Sequence, residues 1–402
     1  MKFSSLTTAG LLAGVVAAAG IAAAVPLQRD PRPSAMLIRG LFSGVGNFPL
    51  KKIHPHIPGL RVTGHRGLPY LGSGAKPTLD LFLPDAPDRK PLPVVMWIHG
   101  GAWISGSKED VAPYLRILAG YGYAVVGVGY SISPQVIYPA AVKELNAALG
   151  FVREHADKYG LDPHRIVLAG DSAGAQLAAQ LALAITNPEY AGETGVVPAA
   201  APEQLRGILL HCGVYDFTSE ARLTGPVGWG LKKALWAYTG SKDWAATPAA
   251  GHMSIPKHVD HRFPPTYISG GNGDYLTSTQ SVPLADRLEE VGVPVIRRFW
   301  PKGYRPALGH EYQFQLHRPE ARESLQETVA FLEDVTAGAA RPQDRTMTTS
   351  RFRGPCTPST RSSSISEVAL GPLIQVSGRV PSSRRRASGR MPATSSAPTT
   401  QM

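Results

Sequence analysis

The chain has 402 residues, 43% hydrophobic and 18% charged, which supplies a large core and excludes a chain disordered throughout. Its formal charge of +11 sits mainly at one end: residues 341–402 hold ten Arg and no Lys against Asp344 and Glu367, a net +8 that leaves +3 for the rest. Phe352 is the lone aromatic of that end and no folded basic face accompanies it, so no nucleic-acid partner is expected.

In chain order, Lys2 precedes an uncharged stretch from Phe3 to Gln28 rich in Ala, Gly, Leu and Val, with small residues at Ala22-Ala23-Ala24. Residues 1–25 therefore read as a cleaved secretory signal, giving a secreted or cell-envelope protein. The alternative is a membrane anchor through residues 6–25, the one route to a membrane partner. Residues 26–75 are dense in Pro and Gly and read as an irregular lead-in with one short helix near Met36 to Phe42. The main domain, 76–338, opens at Thr78-Leu79-Asp80-Leu81-Phe82-Leu83, whose alternation predicts a half-exposed strand.

Short apolar runs then alternate with helix-period segments. Strands are predicted at Val94 to Ile98, Tyr123 to Tyr130, Arg165 to Ala169, Arg206 to Cys212, Pro265 to Ser269 and Val293 to Trp300. Between them lie helices over Val111 to Ala119, through Val142, Leu145, Leu149 and Val152, over Gly174 to Ile185, and through Leu284, Leu288 and Val291; a last one carries Leu325, Val329 and Leu332. This pattern predicts an α/β fold, a mostly parallel central sheet with helices on both faces. Two stretches interrupt it, Pro188 to Gln204 and about 217–262. The second reads as a cap insertion, whose Trp229, Trp236, Tyr238 and Trp244 either line a pocket or pack the cap onto the core. Residues 339–402 read as a disordered basic tail. Cys212 reads as part of a core strand and Cys356 belongs to the tail; their spacing from histidines matches no zinc pattern, so neither a metal nor a cofactor is expected.

Gly170-Asp171-Ser172-Ala173-Gly174 fits G-x-S-x-G with a predicted strand before it and a helix after it. That context makes Ser172 a candidate nucleophile, its hydroxyl thrust out at the sheet edge by a tight turn. A serine hydroxyl needs a base, and the base needs an orienting carboxylate. Asp274, in Gly270-Gly271-Asn272-Gly273-Asp274, and His310, in Leu308-Gly309-His310-Glu311, follow predicted strands in the order Ser, acid, His. Asp216 is the competing acid, unless it caps the helix opening the insertion. His317 is the competing base, although it falls in a predicted helix, and His252, His258 and His261 precede Asp274. Upstream, His99-Gly100-Gly101-Ala102-Trp103 closes a strand; the N–H groups of Gly100 and Gly101, with that of Ala173, are candidates for an oxyanion hole.

These motifs, with Leu79-Asp80-Leu81-Phe82-Leu83-Pro84 and Tyr130-Ser131-Ile132-Ser133-Pro134, resemble the hormone-sensitive-lipase-like esterases of the α/β-hydrolase superfamily over roughly residues 76–335. The resemblance implies an α/β-hydrolase fold and a Ser172–His310–Asp274 triad that forms an acyl-enzyme from small to medium acyl esters. An amidase or formamidase, and a lipase, use the same triad, and a non-catalytic binding protein can share the fold. Many relatives carry arginine where Ser131 stands. No oligomeric state follows from the sequence.

Overall fold

The structure, a computed structural model, describes residues 29–45, 53, 62–85, 91–220 and 224–337. The expected signal segment and basic tail lie outside the described residues, apart from the edges of their neighbours.

The described elements are α1 (Arg32–Val45), β1 (Val62–Pro69), β2 (Thr78–Pro84), β3 (Leu92–Ile98), α2 (Lys108–Gly120), β4 (Ala124–Val128), α3 (Ala140–Glu154), β5 (Leu161–Asp171) and α4 (Ala173–Thr186). They continue with α5 (Pro188–Thr194), β6 (Leu205–His211), α6 (Gly225–Thr239), α7 (Pro248–Met253), β7 (Thr266–Gly270), α8 (Val282–Glu290), β8 (Val295–Phe299) and α9 (Pro319–Thr336). The strands form one sheet in the order β1-β2-β4-β3-β5-β6-β7-β8. β2 runs antiparallel to β1 and β4, and all later pairings are parallel, as the α/β pattern predicts. Alternate residues of β3 feed opposite layers. Val94, Met96 and Ile98 join α3, α4 and α8 in one core, while Val95 and Trp97 join α2 and α9 in the other.

Two expectations change. The lead-in is not irregular up to residue 75: α1 is longer than the short helix expected, and β1 extends the sheet ahead of residue 76. Its sequence, VTGHRGLP, lacks alternation because an edge strand need bury only part of one face. β2 is buried on both faces rather than half exposed, since its polar member Asp80 accepts from the buried Lys108 ammonium at 2.7 Å and from the Gly67 N–H at 2.8 Å. Beside them, α4 presents no solvent face; all its residues are buried because α5, α7 and their neighbours cover the side opposite the sheet.

Candidate active site

Ser172 stands between β5 and α4 with φ 52°, and its N–H donates to the His211 carbonyl at 2.8 Å. The turn is possible only because its flanks are small: a Cβ on Gly174 would collide with the Ile98 and His99 carbonyls. β5 thus delivers the serine between the ends of β3 and β6.

Asp274 and His310 lie on loops laced together by their own backbones. The Gly273 N–H donates to Leu308 O at 2.7 Å, and Asn272 Oδ1 accepts from the Leu308 N–H at 2.9 Å. Gly271 must be bare there, because a Cβ would strike Leu308 O. The outcome is a continuous chain: His310 Nδ1 lies 2.7 Å from Asp274 Oδ2, and His310 Nε2 lies 3.0 Å from Ser172 Oγ. Asp274 is 9% exposed, and its other oxygen accepts from the Leu276 N–H at 3.0 Å. Burial acts to lower the affinity of His310 for its proton, but the neighbouring Cys212 sulfur and the Asp274 carboxylate outweigh it, and His310 titrates well above its ordinary value of 6.5. Burial in turn pushes the Cys212 thiol up, against the pull of the neighbouring His310.

The competing residues are elsewhere. Asp216 caps the short helix after it, accepting from the Thr218 N–H at 2.9 Å. His317 lies in an exposed turn ahead of Pro319, not in a helix. His252 and His258 pack beside Tyr190 at 6.5 and 4.9 Å between ring centroids.

The expected oxyanion hole needs one correction. The Gly100 N–H already donates to Asp171 Oδ2 at 2.9 Å, while Asp171 Oδ1 accepts from Trp97 Nε1 at 2.8 Å. Burial, then the nearby Glu311 carboxylate, hold Asp171 well above the usual carboxylate range. The N–H groups of Gly101 and Ala173 have no such partner among the described residues, so two of the three expected donors stay available there. His99 shapes this loop from behind: burial keeps it neutral, Nδ1 donates to Gly100 O at 2.8 Å, and its ring stacks on Tyr130 at 4.3 Å. From α1, Arg39 donates to Ile104 O at 2.7 Å and Ser133 O at 2.9 Å, tying the loop to the segment after β4. Ser131, where many relatives carry arginine, instead binds Glu144 through both its N–H and its hydroxyl.

Three of the insertion aromatics, Trp236, Tyr238 and Trp244, are buried in packing contacts. Trp103 stacks on Tyr238 at 5.4 Å and lies 5.7 Å from Phe217, which meets Trp244 at 6.5 Å; all four are buried. Trp236 is covered by the Lys233 ammonium at 4.6 Å.

Two residues near His310 were not picked out from the sequence. Cys212, which the sequence reads as the last residue of its strand, is the one just past β6, with φ 44°. Glu311, with φ 57°, brings Oε1 to 3.9 Å from His310 Nε2. Together with Ala102, Trp103 and Ser172 they are the non-glycine residues with positive φ among the described residues, and every one is at this site. Such backbone strain is held by surrounding structure and gathers where geometry matters for function.

Comparison with known proteins agrees with this picture. The BD-FAE family model matches residues 79–288, just over half of the chain. Esterase LipQ of Mycobacterium tuberculosis is 29% identical over 257 residues, 60% of this chain and 57% of that protein. An acetyl esterase of Salmonella schwarzengrund is 43% identical over 91 residues, 22% of this chain and 28% of its own. The chain thus spans little more than half the length of LipQ and less of the acetyl esterase. Among solved structures, esterase B from Lactobacillus Rhamnosis (HN001) superposes with a TM-score of 0.65 at 23% identity, covering 76% of this chain and 96% of that one. That likeness establishes the α/β-hydrolase fold.

Proposed function

This chain belongs to the BD-FAE family, and on that premise we propose that it is a carboxylesterase cleaving small to medium acyl esters through an acyl-enzyme on Ser172. The observation that carries the reading is the unbroken Ser172–His310–Asp274 chain at 3.0 and 2.7 Å. Ser172 Oγ attacks the ester carbonyl as His310 Nε2 takes its proton, and Asp274 stabilises the resulting imidazolium. The N–H groups of Gly101 and Ala173 receive the oxyanion, each such donor being worth ~10²–10³ in turnover. The alcohol leaves with the proton from His310. Water, deprotonated by the same imidazole, then attacks the acyl-enzyme and releases the acid and Ser172.

The insertion at 217–262 acts as a cap that sets acyl length through its packing on Trp103. Rates on p-nitrophenyl acetate, butyrate and palmitate, measured beside formyl-kynurenine, test the proposal. Acetate and butyrate are expected to be turned over fastest. Palmitate or formyl-kynurenine as the best substrate would point to a lipase or a formamidase instead.

A further inference from the structure

Acyl transfer leaves Cys212 without a task. The residue is pinned by its N–H, which donates to Ser269 O at 2.9 Å, so β6 and β7 hold the strained strand end in place. Its thiol is thereby set against the imidazole of His310. Cys212 Sγ, one ring nitrogen of His310 and one carboxylate oxygen of Asp274 all lie within 4.8 Å of one another. Thiolate, imidazole and carboxylate form a donor set suited to zinc-class ions, and three protein ligands leave a fourth position for water. A tetrahedral zinc ion with such ligands holds neighbouring donor atoms about 3.5 Å apart, so modest side-chain shifts bring the three into range. The route in is through His310, whose side chain is 31% exposed.

We propose that Cys212, Asp274 and His310 form an inhibitory site for a soft, zinc-class divalent cation. Binding replaces the Cys212 S–H bond with a sulfur–metal bond and releases that proton to water, together with the extra proton of His310 wherever the ring is an imidazolium, with no change of oxidation state. The ion takes a ring nitrogen of His310 and an oxygen of Asp274, so the hydrogen-bonded chain to Ser172 and the metal site exclude each other. The inhibitory sense rests on the esterase reading; the binding itself does not.

The test uses the full chain after chelator treatment. Zinc added during p-nitrophenyl acetate hydrolysis is expected to abolish activity reversibly on addition of EDTA. In Cys212→Ala the half-inhibitory zinc concentration, referred to that variant's own metal-free rate, should rise about 10-fold to 100-fold. Cobalt(II) added to the otherwise native chain and to Ser172→Ala should give a thiolate-to-cobalt charge-transfer band that Cys356→Ala keeps and Cys212→Ala loses. Equal zinc sensitivity with and without Cys212, or cobalt binding without the thiolate band, overturns the site. A thiolate band in a chain inactive on every ester would overturn the esterase reading and leave the cation site standing.

Discussion

The carboxyl ends of β3, β5, β6 and β7, which carry the catalytic loops, and the insertion at 217–262, which packs on Trp103 after β3, are built differently. At the strand ends the backbone does the positioning: left-handed residues at Ser172 and Cys212, bare glycines against carbonyls, and two loops cross-linked by N–H groups. In the insertion the side chains do it, through Trp103, Phe217, Tyr238 and Trp244 packed ring on ring. A backbone-held site tolerates no change of geometry, whereas ring packing can be altered in steps. The reaction and its acyl preference should therefore respond to mutation separately.

The sharpest contrast comes from Ser172→Ala, which should lower kcat by about 10⁵–10⁶-fold. Its melting temperature should hardly move, and a large loss of stability would break the contrast. Asp274→Asn should cost about 10⁴-fold, since the imidazole loses its orienting charge. It should also shift the pH profile. His310 binds its proton more tightly than usual, so kcat/KM should fall as pH drops through a midpoint above 6.5; removing the carboxylate that favours the proton should lower that midpoint. An unmoved acid limb would mean another group titrates.

On the insertion side, Trp244→Ala removes a buried ring and should destabilise the fold by about 3–5 kcal/mol, measured by denaturant unfolding. Its rate on acetate should change far less than its relative rate on butyrate and palmitate. The smallest effect belongs to Tyr238→Phe: its buried hydroxyl has no hydrogen-bond partner among the described residues, so removing it should be neutral or stabilise by up to about 1 kcal/mol. A loss of several times that would show that the hydroxyl holds the insertion in place.

How far the sequence could be read follows the same division. Ser172, Asp274 and His310 were legible because each sits in a short glycine-bearing segment after an apolar run, so the chemistry leaves a local mark. Gly100 was assigned to the oxyanion hole because nothing local reveals that Asp171, far along the chain on β5, takes its N–H. The sequence runs the strand one residue too far, to Cys212, because an apolar run does not say where pairing ends. The edge strand β1 was missed for want of alternation. The two roles of the insertion aromatics call for the same residue types, so composition does not separate them, and the packing of Tyr238 and Trp244 shows only in their contacts.

The central claim is that Ser172 is the nucleophile, and a fluorophosphonate probe tests it most directly. Labelling of the folded chain followed by peptide mass mapping should place one adduct on Ser172, lost in Ser172→Ala and strongly slowed in a His310→Ala variant. An adduct on a different residue, or an unlabelled folded chain, would contradict it.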